Sequence, residues 1–305
     1  MKHNAKITVI LLAMFVISQL IGIYVVSHYL PDSNPLPFGM DSPKMESQSD
    51  YVSIFPSIII AFVFAIVLFF ILTKFKVQLA LRIWFFTVVV IALSVALFSF
   101  TKGFDTVIYS IPVIATLIAL PLAIIKIYGR NFIVHNATEL LIYPGIAAVF
   151  VPLLNLWTVL ALLVIISVYD AWAVWHSGIM QKMAKYQINQ LKIFSGFFIP
   201  YASKKVKQQI ANWKKTLSNS QLAKKKIKIS VAILGGGDVV FPIITAGVML
   251  KTPGMGLYSA LLVVLGATLG LAYLFFVSEK KKFYPAMPFI TAGIFLGILA
   301  SFLIR

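Results

Sequence analysis

The stretch ILGGGDVVFP, residues 233–242, places three glycines and a carboxylate inside one of the most apolar parts of the chain. An ionised carboxylate is costly in hydrocarbon, and a glycine weakens a helix by about 1 kcal/mol relative to alanine. Asp238 has no basic residue nearer than Lys228 on one side and Lys251 on the other. The stretch therefore combines two unfavourable features at one place, which indicates that it does more than cross a membrane.

The composition around this stretch indicates an integral membrane protein. The 305 residues are 60% hydrophobic and only 11% charged, far from the usage of soluble domains. Because about 20 apolar residues cross a bilayer, the sequence predicts an all-α polytopic protein with nine transmembrane helices in one domain, residues 1–305. The predicted spans are about 7–29, 51–73, 78–100, 106–126, 132–151, 153–175, 228–250, 256–277 and 284–304. The first is expected to be a retained anchor rather than a cleaved signal peptide, and Pro152 marks a tight hairpin between the fifth and sixth.

The basic residues predict the orientation of these spans. Of the 26 lysines and arginines, 22 lie at the N-terminus or in alternate loops, whereas Lys44, Lys102, Lys251 and Arg305 lie on the opposite side. Five of the nine acidic residues lie on that opposite side too. The positive-inside rule then places the N-terminus in the cytoplasm and the C-terminus outside.

The net charge of +17 does not indicate a nucleic-acid partner. The lysines concentrate in a basic cytoplasmic loop, residues 176–227, where topology and anionic lipid account for them. Within that loop IFSGFFIP, residues 193–200, is expected to lie at the bilayer interface. The chain has no cysteine and its four histidines are scattered, so neither a thiol nucleophile nor a metal site is expected.

Three acids lie inside predicted spans: Glu139, Asp170 and Asp238. Glu139 is near a cytoplasmic end beside His135, and a structural role is favoured for it. Asp238 lies about ten residues into its span, or about 15 Å of helix. Both aspartates are expected in the cytoplasmic half of the membrane with Asp238 deeper, unless a break or tilt near Asp170 brings them level.

Two facing carboxylates at low dielectric cannot both ionise easily, so one retains a proton. Such a pair can activate water for attack on a peptide bond without a metal or an organic cofactor. The same acids could instead serve as a proton or cation relay in a transporter or channel. Taken alone, two membrane acids favour transport.

The surrounding residues favour proteolysis. Gly235, Gly236 and Gly237 leave one helix face without side chains, where an extended substrate backbone could approach, although small residues also serve plain helix packing. The segment FYPAMPFITAG, residues 283–293, begins the last span with two prolines. A helix starting there is expected to leave unpaired backbone groups near the acids.

The chain resembles the presenilin and signal peptide peptidase family of intramembrane aspartyl proteases. The motifs YD at 169–170, GGGD at 235–238 and PAMP at 285–288 occur in that family's order, on spans six, seven and nine. The resemblance implies that Asp170 and Asp238 are catalytic. It also implies that the active site and substrate-binding region includes Tyr169, Gly235, Gly236, Gly237, Pro285, Ala286, Met287 and Pro288.

Met287 departs from the family, which usually has leucine at this position. The two side chains are similar in size, so altered packing rather than lost activity is expected. The expected partners are transmembrane peptide or protein substrates and the lipid bilayer of the cell membrane, with no cofactor. The orientation and PAMP resemble presenilin, whereas GDVVFP resembles the peptidase branch.

Overall fold

The computed structural model describes residues 5–31, 33–40, 43, 45, 47–75, 77–129, 131–177, 194–201, 206, 208, 230–279 and 284–304. Nine α-helices form within them: α1 (Ala5–Tyr29), α2 (Gln48–Lys74), α3 (Gln78–Thr101), α4 (Val113–Tyr128), α5 (Phe132–Phe150), α6 (Leu156–Trp172), α7 (Gly236–Lys251), α8 (Leu257–Val277) and α9 (Met287–Leu303). Six of the described helices are long and apolar enough to cross a membrane, and α4 and α9 are apolar but shorter. The expectation of a mainly helical multi-pass membrane protein is confirmed.

Two small antiparallel sheets, each of two strands, accompany the described helices, so the prediction of an all-α fold is incomplete. In the first, β1 (Val107–Ile108) pairs with β2 (Ile111–Pro112), and α4 consequently begins at Val113 rather than at residue 106. In the second, β3 (Gly196–Tyr201) pairs with β4 (Ser230–Gly235) in a register that places Gly196 opposite Gly235. Strand β4 leads directly into α7.

The sheet formed by β3 and β4 corrects one prediction and adds detail to another. The seventh predicted span, 228–250, is not one helix, because residues 230–235 form β4 and α7 begins only at Gly236. Residues 196–200 of the segment expected at the bilayer interface belong to β3, and the Phe197 side chain is fully buried; the interfacial location stays a prediction. Most of the predicted basic loop, including 178–193 and 209–227, lies outside the described residues.

Asparagine side chains begin two of the helices around the site. Asn131 precedes α5 and accepts hydrogen bonds from the backbone N–H groups of Ile133 and Val134. Asn155 and Thr158 form a capping box at the start of α6. A turn of 3₁₀-helix at Val151–Leu153 joins α5 to α6, as the proline between the two predicted spans indicated.

The last two helices pack through glycine, which places their backbones in direct contact. A Cβ added to Gly266 would lie 2.1 Å from the Gly293 carbonyl oxygen, and one added to Gly270 would lie 2.3 Å from the Phe289 carbonyl oxygen. Membrane helices approach this closely only where small residues face each other. The contact at Phe289 holds the first turn of α9 against α8. Helix α9 also packs against α6.

Candidate active site

Asp170 lies in the last turn of α6, with only 4% of its surface exposed. The helix does not continue regularly beyond it, because Ala173–Ser177 form a turn of π-helix. An irregular helical turn is therefore present near Asp170, where the sequence left a break or tilt open. It ends the regular part of α6 next to the start of α9.

The backbone at the start of α9 binds Asp170. The Met287 N–H donates a hydrogen bond to Oδ2 of Asp170 over 3.0 Å. The first amides of a helix have no partner within the helix, so a carboxylate from a neighbouring helix can satisfy one of them. Pro285 and Met287 are buried, whereas Ala286 and Pro288 are partly exposed. The expectation that PAMP presents a free backbone group to an acid matches this geometry.

Asp238 is the third residue of α7 and lies in its first turn. The prediction that it lies ten residues inside a helix is wrong, since the six residues before the helix are in β4. The carboxylate interacts with the backbone N–H of Gly235 and is close enough to Asp170 for the two charges to interact. Because α6 packs against α7, the last turn of one and the first turn of the other bring the two acids together.

The three glycines before Asp238 have different surroundings. Oδ2 of Asp238 lies 3.1 Å from the point where a Cβ on Gly235 would be. A Cβ on Gly236 would lie 2.9 Å from both Ser195 Oγ and a carbon of the Tyr143 ring. A Cβ on Gly237 would meet only Phe241, at 3.8 Å. Only Gly237 thus has open space beside it, and the idea of a continuous bare helix face does not hold for Gly235 and Gly236.

None of the three glycines has a positive φ angle. Any L-residue could adopt these backbone conformations, so the space around each glycine decides what can replace it. Tyr169, the other predicted site residue, is partly exposed, and its ring centroid lies 6.4 Å from that of Trp172.

Contacts that the sequence did not reveal hold this region in place. Tyr143 on α5 and Ser195, just before β3, enclose Gly236. Gln19 on α1 is fully buried, and its Nε2 donates to the Val239 carbonyl oxygen over 3.0 Å. No short motif marks these residues, because they approach the site only through the packing of distant segments.

The chain was compared with known proteins. A family model described as signal-peptide peptidase, presenilin aspartyl protease matches residues 12–305. Two solved structures described as a presenilin family intramembrane aspartate protease, in C222 and P2 space groups, are similar in fold. The first has a TM-score of 0.62 at 17% identity and covers 98% of this chain and 99% of its own. The second has a TM-score of 0.59 at 18% identity, with 97% of each chain covered. A search of curated proteins finds no match.

The family match extends over nearly the whole chain and agrees with the resemblance in the motifs. The expectation of an aspartic endopeptidase with membrane-crossing helices is confirmed. The chain belongs to the signal-peptide peptidase and presenilin family of aspartyl proteases.

Proposed function

We propose that Asp170 and Asp238 form the catalytic pair and hydrolyse peptide bonds within transmembrane substrates. One observation carries the proposal. Asp170 lies in the last turn of α6 and Asp238 in the first turn of α7, these two helices pack against each other, and the Met287 amide at the start of α9 binds Asp170. Among the acidic residues that the structure describes, these two lie at the junction of the α6, α7 and α9 ends.

The pair acts with one proton between its two members, because a second negative charge at this place would be repelled by the first. The ionised carboxylate removes a proton from water as the water oxygen attacks the peptide carbonyl carbon. The protonated carboxyl donates a hydrogen bond to the carbonyl oxygen as negative charge develops there. A proton then passes to the amide nitrogen, the C–N bond breaks, and the products are a carboxylic acid and an amine.

The substrate backbone reaches the pair beside Gly237, where there is open space. A helical substrate must unwind locally before attack, and its freed polar groups then need partners. The outer edge of β3 is already occupied, since the Gly196 carbonyl bonds to His135 and Phe198 exchanges two hydrogen bonds with Asn136. No described residue donates to or accepts from the outer edge of β4 between Ser230 and Leu234. An extended substrate segment can therefore pair with β4, which leads into Asp238.

The nine helices each cross the cell membrane, with the N-terminus in the cytoplasm and the C-terminus outside. The distribution of lysine and arginine supports this orientation. The ends of α6, α7 and α9 that meet at the acids are then on the cytoplasmic side. Water reaches the site from that side, and substrates are cut near the cytoplasmic end of their span.

The experiment is cleavage of a single-span reporter by purified protein in liposomes. Asp170→Asn and Asp238→Asn should each abolish cleavage while the protein stays folded, because an amide keeps the shape but cannot share the proton. Asp105→Asn is the matched control, since Asp105 accepts hydrogen bonds from Ile114 and Ala115 near the opposite end of the bundle. Substantial cleavage by either of the first two variants refutes the catalytic pair.

A further inference from the structure

A buried group of charged side chains lies between α4 and α5, outside the proposed catalytic pair. Lys126 Nζ lies 2.5 Å from Glu139 Oε1, with 4% and 1% of the two side chains exposed. His135 joins them, with Nδ1 at 3.3 Å from Lys126 Nζ and Nε2 at 3.4 Å from Glu139 Oε1. Burying charges is costly, and such a pair often contributes little net stability compared with apolar side chains. Stability alone therefore gives no strong reason for the cluster.

The cluster holds the first residue of β3. His135 Nε2 lies 2.9 Å from the Gly196 carbonyl oxygen, and the Gly196 N–H donates to Glu139 Oε1 over 3.4 Å. Gly196 has a φ of +145°, and a Cβ on it would lie 2.5 Å from the Leu234 carbonyl oxygen. Its position is thus restricted from α5 on one side and from β4 on the other.

From Gly196 the contacts reach the proposed catalytic turn. Gly196 is the strand partner of Gly235, and the carboxylate of Asp238 lies against Gly235. A movement of Gly196 would therefore move the residue on which the Asp238 side chain rests.

A second set of contacts runs from the same carboxylate to Gly236. Tyr143 follows Glu139 by four residues on α5, so the two side chains lie on the same face of that helix. Among the described residues, neither Glu139 Oε2 nor the Tyr143 hydroxyl has a hydrogen-bond partner. The Tyr143 ring and Ser195 in turn enclose Gly236. Glu139 thus binds Gly196, the strand partner of Gly235, and shares a helix face with Tyr143, which packs against Gly236.

We propose that Glu139 is a positioning residue for Asp238, held in place by Lys126 and His135. It acts through Gly196 on Gly235, and through Tyr143 on Gly236, so that the Asp238 carboxylate is fixed opposite Asp170. The inference rests on the proposed catalytic pair. A misplacement of about 1 Å at a reacting group can lower a rate by about 100-fold.

The test separates positioning from simple stability. Glu139→Gln leaves Lys126 as a buried charge without its counter-charge, so the variant could lose activity by unfolding alone. The double variant Lys126→Met, Glu139→Gln removes both charges and keeps the approximate side-chain volumes. Its thermal unfolding in detergent should stay near that of the wild type. Its kcat for the reporter should fall by about 10- to 100-fold with KM nearly unchanged.

Asn136→Ala is the matched control. Asn136 lies on the same helix and anchors the same strand, but at Phe198, whose strand partner is Ile233 rather than Gly235. Its kcat should stay near the wild-type value. A folded double variant with wild-type kcat would overturn the inference, as would an equal fall of kcat in Asn136→Ala.

The experiments can refute the proposed catalytic pair and the positioning role of Glu139 independently. If Asp238→Asn still cleaves the reporter, the catalytic pair is wrong whatever the Glu139 variants do. If both asparagine variants are inactive and the folded double variant cleaves normally, only the positioning role is lost.

Discussion

Gly236 and Gly237 are adjacent, but the same substitution should have opposite effects on stability at the two positions. A Cβ on Gly237 meets only Phe241, at the ordinary contact distance of 3.8 Å. Replacing such a glycine with alanine stabilises a protein by about 0.4–1 kcal/mol, chiefly because the unfolded chain loses freedom. Gly237→Ala should therefore be neutral or slightly stabilising.

At Gly236 the added methyl group meets side chains on two sides. It would lie 2.9 Å from Ser195 Oγ and from a Tyr143 ring carbon, and 3.0 Å from the Tyr143 hydroxyl. Overpacking of this kind typically costs about 1–3 kcal/mol. After the gain from the unfolded state, Gly236→Ala should destabilise by about 0–2.6 kcal/mol. The two variants should thus differ by about 1–3 kcal/mol.

The assay is thermal unfolding of both variants in the same detergent, together with cleavage of the reporter. At roughly 2–4 °C per kcal/mol, the two midpoints should differ by several degrees, with Gly236→Ala lower. Gly237→Leu should unfold near the wild-type temperature but cleave much more slowly, since leucine fills the open space beside the acid. Equal midpoints for the two alanine variants would refute the packing argument, and normal cleavage by Gly237→Leu would refute the access argument.

Three further predictions concern the reaction. The value of kcat/KM should show a bell-shaped dependence on pH, because a doubly protonated pair has no base and a doubly ionised pair has no acid. A profile with a single limb would contradict this. Met287→Leu should change the cleavage rate only slightly, since the two side-chain volumes are similar. Pro285→Ala should lower the cleavage rate, because α9 could then extend and draw the Met287 amide away from Asp170. Equal cleavage rates for the two variants would contradict this. Mass spectrometry of reporter fragments should place the first cut near the cytoplasmic end of the substrate span. Helix-destabilising residues placed there should speed cleavage. A first cut near the outer face would contradict the proposed orientation.

The sequence predicted the helices well where a long apolar run stands alone. The third predicted span, 78–100, is α3, and the eighth, 256–277, is α8, each within one residue at either end. Hydropathy succeeds here because a membrane helix satisfies its backbone internally and needs only apolar side chains.

Hydropathy failed where an apolar run is not one helix. Residues 230–235 are as apolar as the helix that follows, but they pair with β3, a partner distant in sequence. Apolar strands and buried helices cannot be distinguished by composition alone. A single helix over this run would place Asp238 far from the helix start and give all three glycines one role, whereas Asp238 lies in the first turn and Gly236 packs against Tyr143 and Ser195.

The short motifs located the candidate acids, but not the residues that hold them. YD, GGGD and PAMP each lie at a helix end and are contiguous along the chain, so they are visible in the sequence. Glu139 and Gln19 act by contact across the fold, and nothing in their immediate neighbours signals those contacts. The position of Glu139 beside His135 near a helix end predicts a structural role, but its pairing with Lys126 and Gly196 appears only in the three-dimensional fold.

The use of helix ends gives a physical reason for this arrangement of the proposed pair. A carboxylate in the middle of a membrane helix meets a backbone whose N–H groups are already bonded, so only side chains could stabilise its charge. Here α7 and α9 both begin beside the acids, and each helix start carries about half a positive elementary charge. Two such ends offset roughly one negative charge, but not two. The architecture therefore favours one ionised and one protonated carboxyl, which is the state that can both activate water and donate a proton.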